Sequence, residues 1–192
     1  GGPGRSALDS ETLRWRILVD PPSSGPHNMA VDHALATCSS PGEAVVRIYR
    51  WSCPTVSFGR NEPARDRYDR AAGHSAAIEF VRRPTGGRAV LHDRELTYAV
   101  VLPCPTTGGL RETYGLIHRG LVEALCSLGV PAAMAEGCGL PVAPDSGPCF
   151  DEPAPGEVTV AGRKLVGSAQ ARLERVILQH GSLLIGPGQE RL

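Results

Sequence analysis

The 192-residue chain carries 20 lysines plus arginines and 20 acidic residues, so its formal net charge is zero. A neutral chain lacks the basic surplus that binding to a phosphate backbone draws on, which argues against a nucleic-acid partner. No apolar stretch has the length of a membrane span, and the first residues lack the apolar core of a secretory signal, so we expect a cytoplasmic protein with no membrane partner. With 41% hydrophobic residues, a chain of this length predicts a single domain over 1–192, of which 1–10 are flexible.

The first half of the chain predicts short strands that alternate with helices. Apolar and aromatic runs bounded by proline, glycine or polar residues indicate strands at 12–20, 43–51, 55–59, 77–83 and 95–103. A helix is predicted near 28–38. A second is predicted over 63–73, where Pro63 stands in the first turn and Gly73 at the end. A glycine-bearing turn is expected between the last two of these strands.

The clearest helical pattern covers residues 109–129. Apolar residues recur there at steps of three and four, so they lie on one stripe of the helix. The stripe consists of Leu110, Tyr114, Ile117, Leu121, Leu125 and Leu128. Gly129 and Pro131 end the helix. Proline and glycine dominate from there to residue 156, which predicts a long loop of the kind that is usually functional or disordered.

The last part of the chain predicts a meander of strands that turns at Ala161-Gly162 and at Glu174-Arg175. Isolated helices between strands, followed by antiparallel hairpins, favour an α+β or mixed α/β domain. We expect a mixed central sheet with flanking helices and a C-terminal strand meander.

The six cysteines are scattered, and none has a partner at the spacing of a structural zinc site, so no metal is expected. Five of them are predicted to be small, reduced and buried, namely Cys38, Cys53, Cys104, Cys126 and Cys138. Cys149 differs because it lies in the loop rich in proline and glycine, where functional residues tend to occur.

The stretch RRPTGGRAVLHDRELTY at 82–98 joins two adjacent glycines to three arginines and a histidine. Glycines allow a ligand to approach the backbone, whose N–H groups can hold an anion or an acyl carbonyl. Taken alone, Gly86-Gly87 is explained more simply as a tight turn between strands.

Four blocks in order resemble the biotin/lipoate protein ligase and octanoyltransferase superfamily. They are NMAVDHAL (28–35), WSCPTVSFGR (51–60), the stretch at 82–98 and GRKLVGSAQARLERVILQHGSLLI (162–185). Lipoate ligases that use ATP usually have a third glycine where this chain has Arg88, so the third block is more similar to octanoyltransferases of the LipM type. The approach to Glu157 departs from the family pattern, since Pro155-Gly156 replaces its usual serine and tyrosine.

The resemblance implies a catalytic pair, Cys149 in a Cys-Phe dipeptide and Lys164 after the Ala161-Gly162 turn. A nearby ammonium favours the thiolate, which is the nucleophilic form of cysteine. The simpler alternatives are an incidental loop thiol and a solvated surface lysine.

The resemblance also implies a substrate pocket. Its expected members are Arg83, Thr85, Gly86, Gly87, Arg88, His92, Gly167, Ser168, Ala169, Gln170, His180 and Gly181. The small residues after Lys164 suit either a narrow acyl slot or close packing of strands. The two histidines are either pocket residues or core histidines with satisfied hydrogen bonds.

The implied reaction is an acyl transfer in protein lipoylation and lipoate biosynthesis, without cofactor. Octanoyl-acyl carrier protein is the expected donor, and a lysine of a lipoyl-domain protein, either a glycine cleavage H protein or a dehydrogenase E2 subunit, is the expected acceptor. These partners are acidic, and a basic rim around the site is expected to steer them. Its expected members are Arg82, Arg83, Arg88, Arg163 and Arg172. An ATP-dependent lipoate ligase, a lipoyl-protein amidotransferase and a non-catalytic acyl-binding module remain alternatives.

Overall fold

The structure, a computed structural model, describes residues 13–64, 73, 77–104, 109–136 and 155–186. Two helices are present in this part of the chain, α1 (Gly25–Thr37) and α2 (Leu110–Ser127). The strands are β1 (Arg14–Val19), β2 (Glu43–Tyr49), β3 (Thr55–Phe58), β4 (Glu79–Arg82), β5 (Val90–His92), β6 (Glu95–Pro103), β7 (Ala132–Met134), β8 (Val158–Val160), β9 (Arg163–Lys164), β10 (Val166–Leu173) and β11 (Val176–Leu184). Neither described helix has the length and apolar character that crossing a membrane requires.

A five-stranded sheet in the order β1-β2-β6-β11-β10 forms the centre of the fold. β1 and β2 are parallel, whereas the other neighbours are antiparallel. The two longest strands, β6 and β11, have nine residues each and pair over their full length, which is the longest pairing in the sheet.

Both faces of the central sheet are covered. Along β6, Ala99 and Val101 belong to the core cluster that contains Met29 of α1, whereas Val100 and Leu102 belong to the cluster that contains Leu125 of α2. Successive strand residues point to opposite faces, so this alternation places one helix on each side of the sheet. The prediction of a mixed α+β domain with flanking helices is confirmed.

Two three-stranded sheets flank the centre. The first has the order β4-β3-β5, with β3 and β4 parallel, and it holds a small core of its own around Phe58 and Leu91. The second has the order β7-β8-β9 and brings the end of α2 next to the β8–β9 hairpin. The first sheet carries the glycine-rich turn, and the second carries Lys164.

Most predicted elements are present where the sequence placed them. The five predicted strands of the first half and the helix at 109–129 are confirmed, and so are both turns of the C-terminal meander. Positive φ angles at Ala161 (50°), Gly162 (74°) and Glu174 (51°) accompany those turns. The first helix begins earlier than predicted, at Gly25, because Pro26 is accommodated in its first turn. Of the helix predicted at 63–73, residues 65–72 lie outside the described residues.

Three expectations about local structure or burial were wrong. β5 occupies what was predicted to be turn, and β7 lies in the predicted loop after residue 131. The third concerns the cysteines, of which Cys138 lies outside the described residues. The described cysteines are free but not buried: Cys53 and Cys104 are half-buried, and Cys38 and Cys126 are exposed, since each of the last two lies at or near the end of a helix.

Candidate active site

A pocket opens where the glycine-rich turn meets the β10–β11 hairpin. It contains about 440 Å³ of empty space, part of it continuous with solvent. The lining residues are Met29, Tyr49, Trp51, Ser57, Arg83, Gly87, Val90, His92, Thr97, Gly167, Ser168, Ala169, His180, Gly181 and Ser182.

Eight of the predicted pocket residues line this space, and four do not. The eight are Arg83, Gly87, His92, Gly167, Ser168, Ala169, His180 and Gly181. The other four lie outside the lining: Thr85 contacts His180, Gly86 and Arg88 offer their carbonyls to Arg83, and Gln170 contacts Gln179. The turn and the hairpin, which are about 80 residues apart in sequence, therefore form one site.

Gly181 shows why small residues are needed in the hairpin. A Cβ atom at this position would lie 2.6 Å from Ser168 Oγ and 2.7 Å from both Gly167 O and Tyr98 Cε1. Real Cβ atoms do not approach their neighbours so closely, and one of these neighbours is backbone. The close packing of β10, β11 and Tyr98 therefore requires a residue without a side chain at position 181.

Arg83 is a buried clamp on the glycine-rich turn. It is 6% exposed, and its guanidinium donates to the carbonyl oxygens of Ser57, Gly86 and Arg88 at 2.8, 2.8 and 2.6 Å. A guanidinium held in this way fixes the conformation of the turn. The expectation that Arg83 belongs to an exposed basic rim was wrong, because the turn folds over its side chain.

His92 is held on three sides in the pocket wall. Its Nδ1–H donates to Glu95 Oε1 at 2.6 Å, its Nε2 accepts from Ser57 Oγ at 2.6 Å, and its ring stacks on Trp51 with centroids 4.1 Å apart. The Oε1 atom of Glu95 also accepts from Thr97 and Ser182. His92 is therefore both a pocket residue and a core histidine with satisfied hydrogen bonds.

His180 connects the glycine-rich turn to α1. Its Nδ1–H donates to Asp32 Oδ2 at 3.0 Å, and its Nε2 accepts from Thr85 Oγ1 at 2.6 Å. Burial lowers the pKa of His180 below its ordinary value, so the ring is neutral at neutral pH. Asp32 in turn accepts from Tyr49 at 2.8 Å and from Arg47 at 2.7 Å. This hub was not predicted, although Asp32 and Arg47 are charged residues inside apolar segments.

A second polar chain crosses the core next to the hairpin. Gln170 donates to Gln179 at 3.1 Å, Gln179 donates to the Tyr98 hydroxyl at 2.9 Å, and Tyr98 lies 2.7 Å from Ser168 Oγ. Ser168 Oγ lies 2.8 Å from Nε2 of His118, which is fully buried on α2.

His118 was not singled out from the sequence. It follows Tyr114 by four residues and precedes Leu121 by three, so it falls on the apolar stripe of α2. A polar residue on an otherwise apolar stripe of a helix is the sequence pattern that could have identified His118 as a functional candidate.

Lys164 is buried rather than solvated. Its Nζ lies 2.8 Å from Glu157 Oε1, and the two side chains are 4% and 11% exposed. The alternative of a solvated surface lysine is thus wrong. Cys149, and with it the predicted pair with Lys164, lies outside the described residues.

The sequence matches one known protein family over most of its length. Residues 24–192 match the model of the lipoyl protein ligase A/B catalytic domain. The chain belongs to this family. Its curated relatives in the lipoyl protein ligase A/B family include an octanoyltransferase LipM from Kyrpidia tusciae, 46% identical over 93% of this chain and 68% of that protein. One from Bacillus subtilis, also named octanoyltransferase LipM, is 38% identical over the same shares.

Solved structures of the lipoyl protein ligase A/B family have the same fold. A lipoate-protein ligase A bound with ATP has a TM-score of 0.76 at 23% identity, covering 94% of this chain and 70% of that one. A bipartite lipoate protein ligase from Thermoplasma acidophilum has a TM-score of 0.74 at 22% identity, covering 92% and 63%. The resemblance inferred from the four blocks, and the catalytic-domain fold it implied, are confirmed. The chain spans about two thirds of the length of the curated relatives it matches.

Proposed function

We propose that the chain transfers an octanoyl group from octanoyl-acyl carrier protein to a lysine of a lipoyl domain, through a thioester on Cys149. The observation that carries this proposal is the similarity to proteins named octanoyltransferase LipM, at 38–46% identity over 93% of the chain. Identity at this level over nearly the whole chain favours transfer over the ATP-dependent ligases, which share the fold at 22–23% identity.

The shape and the polarity of the pocket support an acyl ligand. Apolar side chains of Met29, Trp51 and Val90 form part of its wall, and the small residues of β10 leave the space open. Each buried methylene contributes about 0.8 kcal/mol, so an octanoyl chain gains several kcal/mol from burial alone. The polar groups in the wall already have hydrogen-bond partners within the protein: His92 is bonded to Ser57 and His180 to Thr85. They therefore need no polar partner on the ligand.

The surroundings of Lys164 support its assignment as the partner of Cys149. The β8–β9 hairpin fixes its backbone, and Glu157 fixes its ammonium. Cys149 precedes Glu157 by eight residues, which limits their separation to about 27 Å of extended chain. That limit leaves the thiol within reach of the ammonium, which would favour the thiolate.

The proposed reaction has two steps. The Cys149 thiolate attacks the donor thioester and releases the carrier thiol, so that one thioester replaces another at similar energy. The lysine amine of the lipoyl domain then attacks the acyl-enzyme, and the conversion of thioester to amide drives the sequence without ATP. Lys164 stabilises the thiolate in the first step and the carbonyl oxyanion in both.

The exposed arginines support docking of acidic partners. Of the predicted basic rim, Arg163 and Arg172 are exposed, Arg88 is half-buried, and Arg82 is exposed while donating to Gly59 O at 2.6 Å. Positive charge beside the pocket would raise the rate at which an acidic carrier protein is captured.

A donor comparison tests the proposed function. With octanoyl-acyl carrier protein and a lipoyl domain, we expect octanoyl-lysine to form without ATP. With free octanoate and ATP in place of the carrier, we expect none. Product formed only in the second reaction would make the chain a ligase, product formed only from an octanoylated lipoyl protein would make it an amidotransferase, and binding without product would make it an acyl-binding module.

A further inference from the structure

Three hydrogen bonds converge on one carboxylate oxygen behind the pocket. Glu95 is 5% exposed, and its Oε1 accepts from His92 Nδ1 at 2.6 Å, from Thr97 Oγ1 at 2.7 Å and from Ser182 Oγ at 2.8 Å. Each of the three donors lines the pocket, and Glu95 lies behind them. One buried acceptor therefore orients three side chains of the pocket wall.

The strand register places this carboxylate on the pocket side of the central sheet. Ser182 of β11 pairs directly with Thr97 of β6. Because alternate residues of a strand share a face, Glu95 and Thr97 lie on the same face of β6 as Ala99. Ala99 packs in the core cluster of Met29, a residue of α1 that also lines the pocket. Glu95, its donors and the pocket are thus on one face of the sheet.

Trp51 depends on this carboxylate through two contacts. Its Nε1–H donates to Thr97 Oγ1 at 2.7 Å, and its ring stacks on His92 with centroids 4.1 Å and planes 15° apart. Thr97 gives its own proton to Glu95, which leaves the lone pairs of its oxygen to the indole. The largest side chain in the pocket wall is therefore held by hydrogen bonds that end at Glu95.

The backbone of Trp51 is fixed independently of Glu95. Ser23 accepts from the backbone of Ser52 and donates to that of Arg50, which forms a bridge across Trp51. The nearby Tyr49 ring restrains the indole less, since the centroids are 5.9 Å apart and the planes are tilted by 53°. Loss of the carboxylate would therefore free the ring of Trp51 and leave its backbone in place.

The second oxygen of Glu95 argues against a role in stability alone. Oε2 is buried, and it has no hydrogen-bond partner among the described residues. A buried polar atom without a partner costs the fold the desolvation of that atom. A side chain that carries this cost and orients three residues of the pocket wall serves the site.

We propose that Glu95 determines which acyl chains the pocket admits, by holding Trp51 through Thr97 and His92. This inference rests on the proposed function, in which the pocket binds an octanoyl chain. A wide chain enters only if the indole moves, and movement breaks the bond to Thr97 or the stack on His92. A straight alkyl chain is therefore bound in preference to a bulkier one. Glu95 is a positioning residue, since it contacts the wall residues and acts through them.

Four variants separate the contributions. Glu95→Leu keeps most of the side-chain volume and removes the acceptor, whereas Glu95→Gln keeps an acceptor oxygen. Thr97→Val removes the hydrogen bond to Trp51 and leaves Glu95 in place. The matched control is Glu43→Leu, because Glu43 is also 5% exposed but is paired with Arg16.

Calorimetric titration with two unreactive ligands, octanamide and 6-phenylhexanamide, measures selectivity without acyl transfer. The native chain should bind octanamide at least about tenfold more tightly, since the phenyl ring overpacks a pocket with a fixed indole. In Glu95→Leu and Thr97→Val the ratio should fall below about threefold. Glu95→Gln and Glu43→Leu should keep the native preference.

A second measurement follows the indole directly. The chain has two tryptophans, so Trp15→Phe leaves Trp51 as the only one. In that background the fluorescence anisotropy of Trp51 should decay faster on the nanosecond timescale in Glu95→Leu, and it should be unchanged in Glu43→Leu. A role of Glu95 in stability alone would leave the anisotropy of the folded chain unchanged.

The outcomes distinguish this inference from the function it rests on. Unchanged selectivity in folded Glu95→Leu and Thr97→Val would overturn it, whatever the anisotropy does, and would leave the transfer reaction intact. A Glu95→Gln chain as unselective as Glu95→Leu would also overturn it, because the amide preserves the acceptor. Equal binding of both ligands by the native chain would overturn the inference alone, and binding of neither would remove the acyl pocket from the proposed function as well. Thermal denaturation identifies a variant that fails to fold, in which case the other variant decides.

Discussion

Replacing Arg47 with methionine should destabilise the protein severely. Arg47 is fully buried under the pocket, where its guanidinium donates to Asp20 and Asp32 at 2.7 Å and to both the backbone and the side-chain oxygen of Asn28. Methionine has a similar length and fills much of the same space, so the change removes charge and hydrogen bonds rather than volume. The loss leaves Asp32, itself fully buried, without its cation.

The magnitude follows from that uncompensated carboxylate. Removing one partner of a buried ion pair costs about 3–5 kcal/mol, against a total stability of about 5–15 kcal/mol for a domain. For a chain of this length the melting temperature should fall by about 6–20 °C. Tyr49 and His180 still donate to Asp32 in the variant, and they keep the loss from being larger.

Urea unfolding of the native and variant chains measures the loss. The matched control is Arg16→Met, which breaks an ion pair of similar length, 2.9 Å to Glu43, but with an arginine side chain that is 49% exposed. Water replaces the partner of an exposed charge, so the control should lose much less stability. Equal losses in the two variants, or a loss below about 1 kcal/mol in Arg47→Met, would refute the reasoning that burial of the ion pair sets the cost.

Four further predictions follow from the pocket and its surroundings. Gly181→Ala should lower the free energy of unfolding by about 1–3 kcal/mol because its Cβ would overlap Ser168, whereas Gly120→Ala, on an open helix face, should raise it by about 1 kcal/mol; urea midpoints compare the two. Burial lowers the pKa of His118, so as the pH falls through 6.5 this residue takes up a proton in the unfolded chain but not in the folded one, and the folded state should lose stability below that pH. The decline should be less steep in His118→Gln, and melting temperatures measured across pH 5–7.5 would show the difference. A hexanoyl donor lacks two methylenes and should bind about 15-fold more weakly than octanoyl in steady-state assays, and equal binding would contradict an apolar slot. Turnover with acyl carrier protein should slow as salt is raised, and a rate indifferent to ionic strength would rule out steering by the basic rim.

Local chemistry made much of the fold predictable. β6 was predicted with its observed bounds because its apolar run is flanked by charged and proline residues. The hairpin turn at Ala161-Gly162 was predictable from Gly162, because glycine adopts a positive φ, here 74°, without steric cost. β5 was missed because three residues between glycines and a charged turn carry too little pattern to separate a strand from a loop.

The candidate site was predictable only where it lies in contiguous blocks. Gly87 and the segment Gly167, Ser168 and Ala169 were found through such blocks. Asp32, Arg47 and His118 were missed, because their roles depend on pairings across the sheet that no local pattern records. Burial of Arg83 was missed for the same reason, since an arginine in a turn is usually solvated and becomes a clamp only where three carbonyls converge on it.

The central claim is that the octanoyl group passes through the sulfur of Cys149, held as a thiolate by Lys164. Intact-mass measurement after mixing with octanoyl-acyl carrier protein, without acceptor, tests it on the native chain and on Cys149→Ala. The account predicts one octanoyl group on the native chain, removable by hydroxylamine, and none on the variant. An octanoyl group that forms equally on Cys149→Ala, or full transfer activity in that variant, would contradict it.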